Sequence, residues 1–352
     1  MFCVLRRLLN SALTSFIGKI ITLMSTVFLP SLRTFICDPD KTLLDSAKAQ
    51  GVVLEYSCRS GRCGVCKAQA EGDSEVICHD ESVLTPEEVA AGYILTCCRS
   101  ARGDLQLHAE DLHQFEGIQV KTLPCRVDSV NLVSKDVLSV ILRVPPTAEF
   151  KYLPGQYIDV IGKNGIRRSY SLANAPRVDG KLELQIRQVD QGLMSEYWFG
   201  SAAVNDLLRL EGPQGTFGIR PDIPEHLIFL ATGTGIAPVK AMLEQLNQTP
   251  NLVVDTSIHV YWGGRVNEDI YWQPELSALP VAFNPVLSRA GEQWDGRTGY
   301  IQSAVIEDQI PLSKTVVYAC GSDAMIHSAR ELLIKHGLSP KKFYSDAFVS
   351  SN

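Results

Sequence analysis

Five of the chain's ten cysteines fall between Cys58 and Cys97, and three of them share one short loop, Cys58-Arg-Ser-Gly-Arg-Cys63-Gly-Val-Cys66. The spacing is C-x4-C-x2-C, and after thirty intervening residues comes a further cysteine, Cys97, with Cys98 beside it. This is the pattern in which four thiolates hold two irons and two sulfides. Such a loop must turn three sulfurs inward within nine residues. Gly61 and Gly64 permit the positive φ that this requires, and their bare backbone lets N–H groups approach the sulfides. A zinc site would add a second C-x2-C pair or histidines, and no second pair follows. A cluster of buried structural thiols is the remaining reading. Ten cysteines in 352 residues are too few for a disulfide scaffold, so their crowding points to metal chemistry in a reducing compartment. Cys3, Cys37, Cys78 and Cys125 are read as small apolar residues.

A chain of 352 residues allows two or three domains. With 45% hydrophobic and 20% charged residues, each can bury a core. Lys+Arg of 33 against Asp+Glu of 39 gives a net charge of −6, which argues against a basic nucleic-acid face. Residues 1–23 carry Arg6, Arg7 and Lys19 and no acid. Their uncharged runs are too short for a spanning helix, so they are read as an N-terminal extension with no stable membrane insertion. Residues 24 to about 112 hold eight basic and fourteen acidic residues, with a helix-like stretch at Thr42–Gln50. Leu112 to Gln119 loses periodicity and suits a linker. Next come alternating apolar and polar runs, VLSVILRV (137–144), GQYIDVI (155–161) and KLELQIRQV (181–189), which suggest an antiparallel barrel. From His226 the texture is HLIFLA, a helix over Val239–Leu246, SIHVYW, a helix, PVAFNPVL, a helix, TVVYAC, and a helix from Ala324 to Lys335. Strand alternating with helix implies a parallel sheet with crossovers.

Arg168-Ser169-Tyr170-Ser171 follows a barrel strand and offers a guanidinium for phosphate, an aromatic face for a flat ring and a hydroxyl for a ring nitrogen. Gly192-Leu193-Met194-Ser195 precedes a helical stretch, where backbone N–H groups can hold an anionic pyrophosphate. An isolated Tyr170 would equally suit cross-strand packing. Gly233-Thr234-Gly235-Ile236-Ala237-Pro238 follows strand HLIFLA and opens a helix, so a diphosphate can approach bare glycines at a helix N-terminus. It departs from the full dinucleotide fingerprint at Pro238, and no acid ends the second strand. That strand ends Trp262-Gly263-Gly264-Arg265, and Arg265 fits either an NADP phosphate or the adenosine of NAD. A plain strand-to-helix connection is the other reading of the glycine turn. Cys320-Gly321-Ser322 also lies between a strand and a helix, at an edge that faces ligand in parallel sheets.

In this order, the cysteine loop, RSYS, GTGIAP and CGS resemble the ferredoxin-reductase superfamily with an N-terminal plant-type ferredoxin domain. EYSCRSGRCGVCKA, GYILTCC, VPPTAEFKYLPGQYIDVI, RRSYSLANAP, EGPQGTF, VYACGSDAMI and FYSDAFVSSN are similar to the CDP-6-deoxy-Δ3,4-glucoseen reductases. The resemblance implies three modules: an α+β, β-grasp [2Fe-2S] domain over 24–115, an antiparallel β-barrel FAD domain over 116–224, and an α/β parallel-sheet NAD(P) domain over 225–352. By the same resemblance Cys58, Cys63, Cys66 and Cys97 hold the cluster, because Cys97 follows Ile94-Leu95-Thr96 as the fourth ferredoxin ligand does. Arg168, Ser169, Tyr170 and Ser171 would contact flavin, and Gly192, Met194 and Ser195 its pyrophosphate. Gly233, Thr234, Gly235, Arg265, Cys320 and Gly321 would meet NADH, with NADPH as the other candidate, and Phe348 would cover the flavin.

The implied activity passes electrons from nicotinamide to flavin to cluster to a partner, with no side chain needed as acid or base. The implied partner is the pyridoxamine-phosphate-dependent dehydratase of 3,6-dideoxyhexose synthesis, in the cytoplasm where nicotinamide is supplied. The reductase component of an aromatic-ring dioxygenase or di-iron monooxygenase uses the same modules in the same order. The acidic first segment is expected to offer its face to a basic docking surface.

Overall fold

The computed structural model describes residues 24–162 and 165–348. The expected extension, residues 1–23, lies outside the described residues. The described residues form two compact units, divided after Gly117. Among the described residues no helix is long and apolar enough to cross a membrane.

In the first unit β1 (Ser25–Phe28) and β2 (Thr34–Cys37) form an antiparallel hairpin. Helix α1 (Leu43–Ala49) follows. The expected helical stretch is delimited by its own caps: Thr42 Oγ1 accepts the Asp45 N–H at 3.0 Å, and Gln50 ends it. Then come β3 (Lys67–Glu71), β4 (Ser74–Val76), the short helix α2 (Pro86–Ala90), β5 (Tyr93–Leu95), β6 (Arg99–Ala101) and β7 (Leu105–His108). The main sheet runs β2-β1-β7-β3-β5, with β4 and β6 paired apart from it. Leu43, Leu44 and Ala47 of α1 join Val27, Phe35, Leu95, Leu105 and Leu107 in one apolar core. The expected linker begins inside this unit, since Leu112 and Phe115 are buried and Leu112 N–H bonds Val53 C=O at 2.8 Å.

The second unit opens with β8 (Lys121–Ser134), β9 (Val137–Arg143), β10 (Tyr157–Ile161), β11 (Arg167–Ser171) and β12 (Leu182–Arg187). After the one-turn helix α3 (Leu193–Glu196) comes β13 (Leu207–Gln214). Their order is β11-β10-β13-β8-β9-β12, every pairing antiparallel. A bridge between Leu172 and Leu184 brings the two edge strands together, so the sheet closes as the alternation of side chains suggested. Val127, Val140, Leu142, Ile158, Leu184 and Leu210 fill its interior.

The remainder is a parallel sheet: β14 (His226–Thr232), helix α4 (Ile236–Gln248), β15 (Ser257–Gly264), β16 (Ala282–Leu287), β17 (Arg297–Thr298), helix α5 (Ile301–Glu307), β18 (Thr315–Gly321), helix α6 (Asp323–Lys335) and β19 (Phe343–Ala347). The strands lie β17-β16-β15-β14-β18-β19. One expectation fails. Between β15 and β16 there is no α-helix, only a single 3-10 turn at Asn267–Asp269. Pro274 and Pro280 bar a regular helix there. Tyr271 and Trp272 pack against the apolar core instead, with the Tyr271 ring edge-on to Trp262 at 5.0 Å. Chain order reverses between β14 and β18, the position at which open α/β sheets leave a crevice.

Candidate functional site

The cysteine loop is held in shape by its glycines and its own amides. Gly61 and Gly64 have φ of +74° and +69°, and a Cβ on Gly61 would collide with the Asp80 carbonyl. Backbone N–H groups point at sulfur: Ser60 to Cys58 at 3.4 Å, Cys63 to Cys58, Val65 to Cys63 and Gly61 to Cys97. Thr96 donates both its N–H and its hydroxyl to Cys66 C=O, at 3.2 and 3.3 Å, tying the distant fourth position to the loop.

The sulfurs stand in two pairs, Cys58 with Cys63 and Cys66 with Cys97, the latter 3.2 Å apart. A single tetrahedral ion with sulfurs at ~2.3 Å would draw all four together. Among the described residues only Asp111, His113 and Glu116 bring three ligand atoms within 4.8 Å of one another, and Arg33 lies on that group, 2.8 Å from Asp111. Two separate sulfur pairs suit two metal ions. A hydrogen bond from its partner lowers Cys58 to about 4, and one from Cys66 lowers Cys97 to about 7. The pairing hydrogen bond, then burial, drives Cys63 and Cys66 upward. Four thiolates can coexist here only around positive charge. Cys98 differs: its sulfur lies 3.6 Å from Asp80 C=O, it is wholly buried, and burial raises its pKa.

On the barrel, β11 alternates its side chains. Ser169 Oγ donates to Asp159 at 2.5 Å, and Arg167 binds Asp159 and Glu211, so both are engaged on one face. Arg168 and Tyr170 share the other face, where Arg168 bonds the Arg167 carbonyl at 2.7 Å. The Tyr170 hydroxyl accepts Trp198 Nε1–H at 3.2 Å, and burial pushes its pKa up to about 12, so it stays neutral. Ser171 is buried. Gly192 is the N-cap of α3, whose first N–H groups have no intrahelical partner. The Ser195 hydroxyl accepts Val189 N–H at 2.9 Å, and the Met194 side chain is sunk in the barrel core. Backbone, rather than these two side chains, is what the turn presents to an anion. Trp198, which orients Tyr170, was not picked out from the sequence; its signal is an aromatic three residues beyond Ser195.

At the reversal of strand order a cleft of about 600 Å³ opens, lined in part by Arg187, Thr232, Gly233, Thr234, Arg265, Ser322 and Phe348. Gly233 has φ of +53°, and its carbonyl accepts Trp262 Nε1–H at 3.0 Å. Gly235, Cys320 and Gly321 pack beneath the lining and do not line the cleft themselves: a Cβ on Gly235 would collide with the Cys320 carbonyl, and one on Gly321 with Thr232. The Cys320 thiol is fully buried in the apolar cluster beside α4, and its pKa rises through burial. It lies beneath the cleft lining. Phe348 N–H bonds Gly321 C=O at 2.9 Å, which sets its half-exposed ring at the cleft. Sequence reasoning missed Arg187, at the end of barrel strand β12, because only the fold brings it under the glycine turn; its Nε donates to Asp136 at 2.9 Å. Two arginines, bare glycines and a helix N-terminus suit a diphosphate.

Three family descriptions match in succession: the 2Fe-2S iron-sulfur cluster binding domain over residues 27–102, the oxidoreductase FAD-binding domain over 124–219 and the oxidoreductase NAD-binding domain over 229–331. The CDP-6-deoxy-L-threo-D-glycero-4-hexulose-3-dehydrase reductase of Yersinia pseudotuberculosis is 44% identical over 92% of this chain and 97% of that protein. The chain belongs to this family of iron-sulfur flavoprotein reductases. The reductase also resembles, at 30% identity over 89% of its length and 93% of the relative, the anthranilate 1,2-dioxygenase electron transfer component of Acinetobacter baylyi. The solved Amycolatopsis cytochrome P450 reductase GcoB matches with TM-score 0.70 and 28% identity, over 92% of this chain and 98% of that one. The present chain is an NAD(P)H-dependent electron-transfer oxidoreductase with [2Fe-2S], FAD and NAD modules, and it serves an electron-acceptor partner.

Proposed function

We propose that this reductase serves the dehydratase of 3,6-dideoxyhexose synthesis, the enzyme that removes the 3-hydroxyl of CDP-4-keto-6-deoxyglucose, in the cytoplasm. The observation that carries this reading is the full-length similarity of 44% to a dehydrase reductase, against 30% for a dioxygenase component. Bound together, the cofactors turn hydride delivered by NADH into single electrons for the acceptor. The chain's own part is placement. Cys58 with Cys63 and Cys66 with Cys97 would each hold one iron, and the amides on their sulfurs would tune its potential. Arg168 and the first turn of α3 would hold the FAD phosphates, and Tyr170 would pack on its ring. Gly233, Thr234 and Arg187 would hold the dinucleotide phosphates, Arg265 would lie at its adenosine end, and the Phe348 ring would shield the reacting face from water. NADH oxidation should be stimulated by purified dehydratase with its CDP-sugar and remain at background with an anthranilate dioxygenase oxygenase component. The reverse pattern overturns the reading.

A further inference from the structure

Helix α4 carries a second set of polar groups one turn beyond the glycine-rich turn. Lys240 is nine-tenths buried, and its ammonium donates to Ala173 C=O at 3.0 Å, Glu183 at 2.8 Å and Glu244 at 2.8 Å. Glu244 in turn accepts the Ala175 N–H at 2.9 Å, and Arg177 lies 3.2 Å from Glu183 and 3.7 Å from Glu244. Ala173 and Ala175 follow directly on β11, the strand of Arg168 and Tyr170, and Glu183 lies on β12. The segment between is itself rigid. Asn174 is wholly buried and bonds Tyr152, Ala175, Lys181 and Glu183. The glycine turn that leads into this helix thus faces the cleft, while the helix itself holds the backbone that continues the flavin strand.

A buried ammonium shared by two carboxylates is a demanding way to join two layers, because desolvation offsets most of the attraction. An apolar contact would bind them as well but would let them slide. What the charged clamp adds is a fixed distance and direction, since three acceptors around one ammonium define a point. We propose that Lys240 is a positioning residue that sets the separation between flavin and nicotinamide for hydride transfer. Hydride transfer needs its reacting atoms ~3–3.5 Å apart, so a shift of about 1 Å between β11 and the glycine turn costs much of the rate. The inference rests on placing FAD against β11 and the dinucleotide at the glycine turn.

The test is anaerobic stopped-flow reduction of the FAD-loaded enzyme by NADH, with Lys240→Met and Lys240→Arg. In Lys240→Met the reduction rate per bound flavin at saturating NADH should fall between about tenfold and a hundredfold. The NADH dissociation constant should change less than about threefold, the long-wavelength charge-transfer band should weaken, and the isotope effect with 4-deuterated NADH should rise. Lys240→Arg should recover most of the rate. An unchanged rate per bound flavin, with only the melting temperature or FAD content lowered, overturns the proposal. If Lys240→Met is insoluble, Lys240→Met/Glu244→Met removes one charge of each sign and must show the same fall. Arg168→Ala tests the placement separately: it should lose FAD, and full FAD retention there would sink the placement rather than the clamp.

Discussion

At the scale of single residues, the proposed cluster ligands are the most legible feature, because three of the four lie within nine residues and a local loop dictates its own geometry. The choice between Cys97 and Cys98 was not legible in spacing alone. Packing favours Cys97 as the proposed fourth ligand, for its sulfur meets Cys66 at 3.2 Å, while the Cys98 sulfur lies 3.6 Å from both Cys97 and Asp80 C=O. Replacing Cys63 with Ser should therefore remove the cluster's visible absorption and paramagnetic signal and abolish reduction of the partner, while NADH-driven reduction of a soluble dye stays within about twofold. Equal loss of both activities would show that electrons do not pass from flavin to cluster in that order. Cys98→Ala should keep the cluster signal, and its loss would reassign the fourth ligand. Residue identities around the flavin were less legible: the patterns R-x-Y-S and G-L-M-S do not reveal that Ser169 and Ser195 are engaged within the protein, since their partners, Asp159 and Val189, are set by strand register and turn geometry.

At the scale of elements, period located α1, the barrel strands β9, β10 and β12, and β14, β15, β16 and β18 of the parallel sheet, since each of these buries a face that its own pattern describes, whereas the short edge strand β17 and the C-terminal β19 were not read. The absent helix between β15 and β16 shows the limit, because there the prolines bar a regular helix and Tyr271 packs on Trp262 instead. A tight element junction is the glycine turn on β18. Gly235→Ala would drive a methyl into the Cys320 carbonyl and should cost about 1–3 kcal/mol. The expected result is a melting temperature lower by several degrees and weaker NADH binding, and wild-type behaviour in both would contradict the packing described. Near the start of the interior strand β15, His259 has its pKa lowered by burial and by nearby His226, with Asp308 opposing. A depressed histidine pKa means the unfolded chain takes up its proton first as pH falls. Stability is thus lost as pH drops through 6.5, the ordinary value, toward the folded one. Between pH 7.5 and 5.5 the melting temperature should fall less in His259→Gln than in the wild type; parallel curves would remove His259 as a cause.

At the scale of the whole molecule, the three-module order was readable because motifs follow one another along the chain. The cleft was not, since it needs β18 to return beside β14 and Arg187 to arrive from the barrel. Charge is the other property that only the assembled units express. The first unit's cations are largely committed to its own acids: Arg59 to Asp45, Lys67 to Glu88, Arg99 to Glu81 and Arg102 to Glu75. With eight basic against fourteen acidic residues over 24–112, exposed acids such as Glu71, Asp73, Asp80 and Glu87 leave that unit a net negative field. Such a field speeds encounter with a basic surface and does little for contact energy once docked. Raising ionic strength from about 0.01 to 0.5 M shrinks the screening length from ~30 Å to under ~10 Å. The bimolecular rate of partner reduction should fall roughly tenfold over that range, while flavin reduction by NADH, which occurs within the second unit, should change much less. Reversing Glu71 and Asp73 to Lys should flatten the salt dependence without altering the cluster signal. A partner-reduction rate indifferent to salt would mean that the acidic unit is not steered by charge to its acceptor.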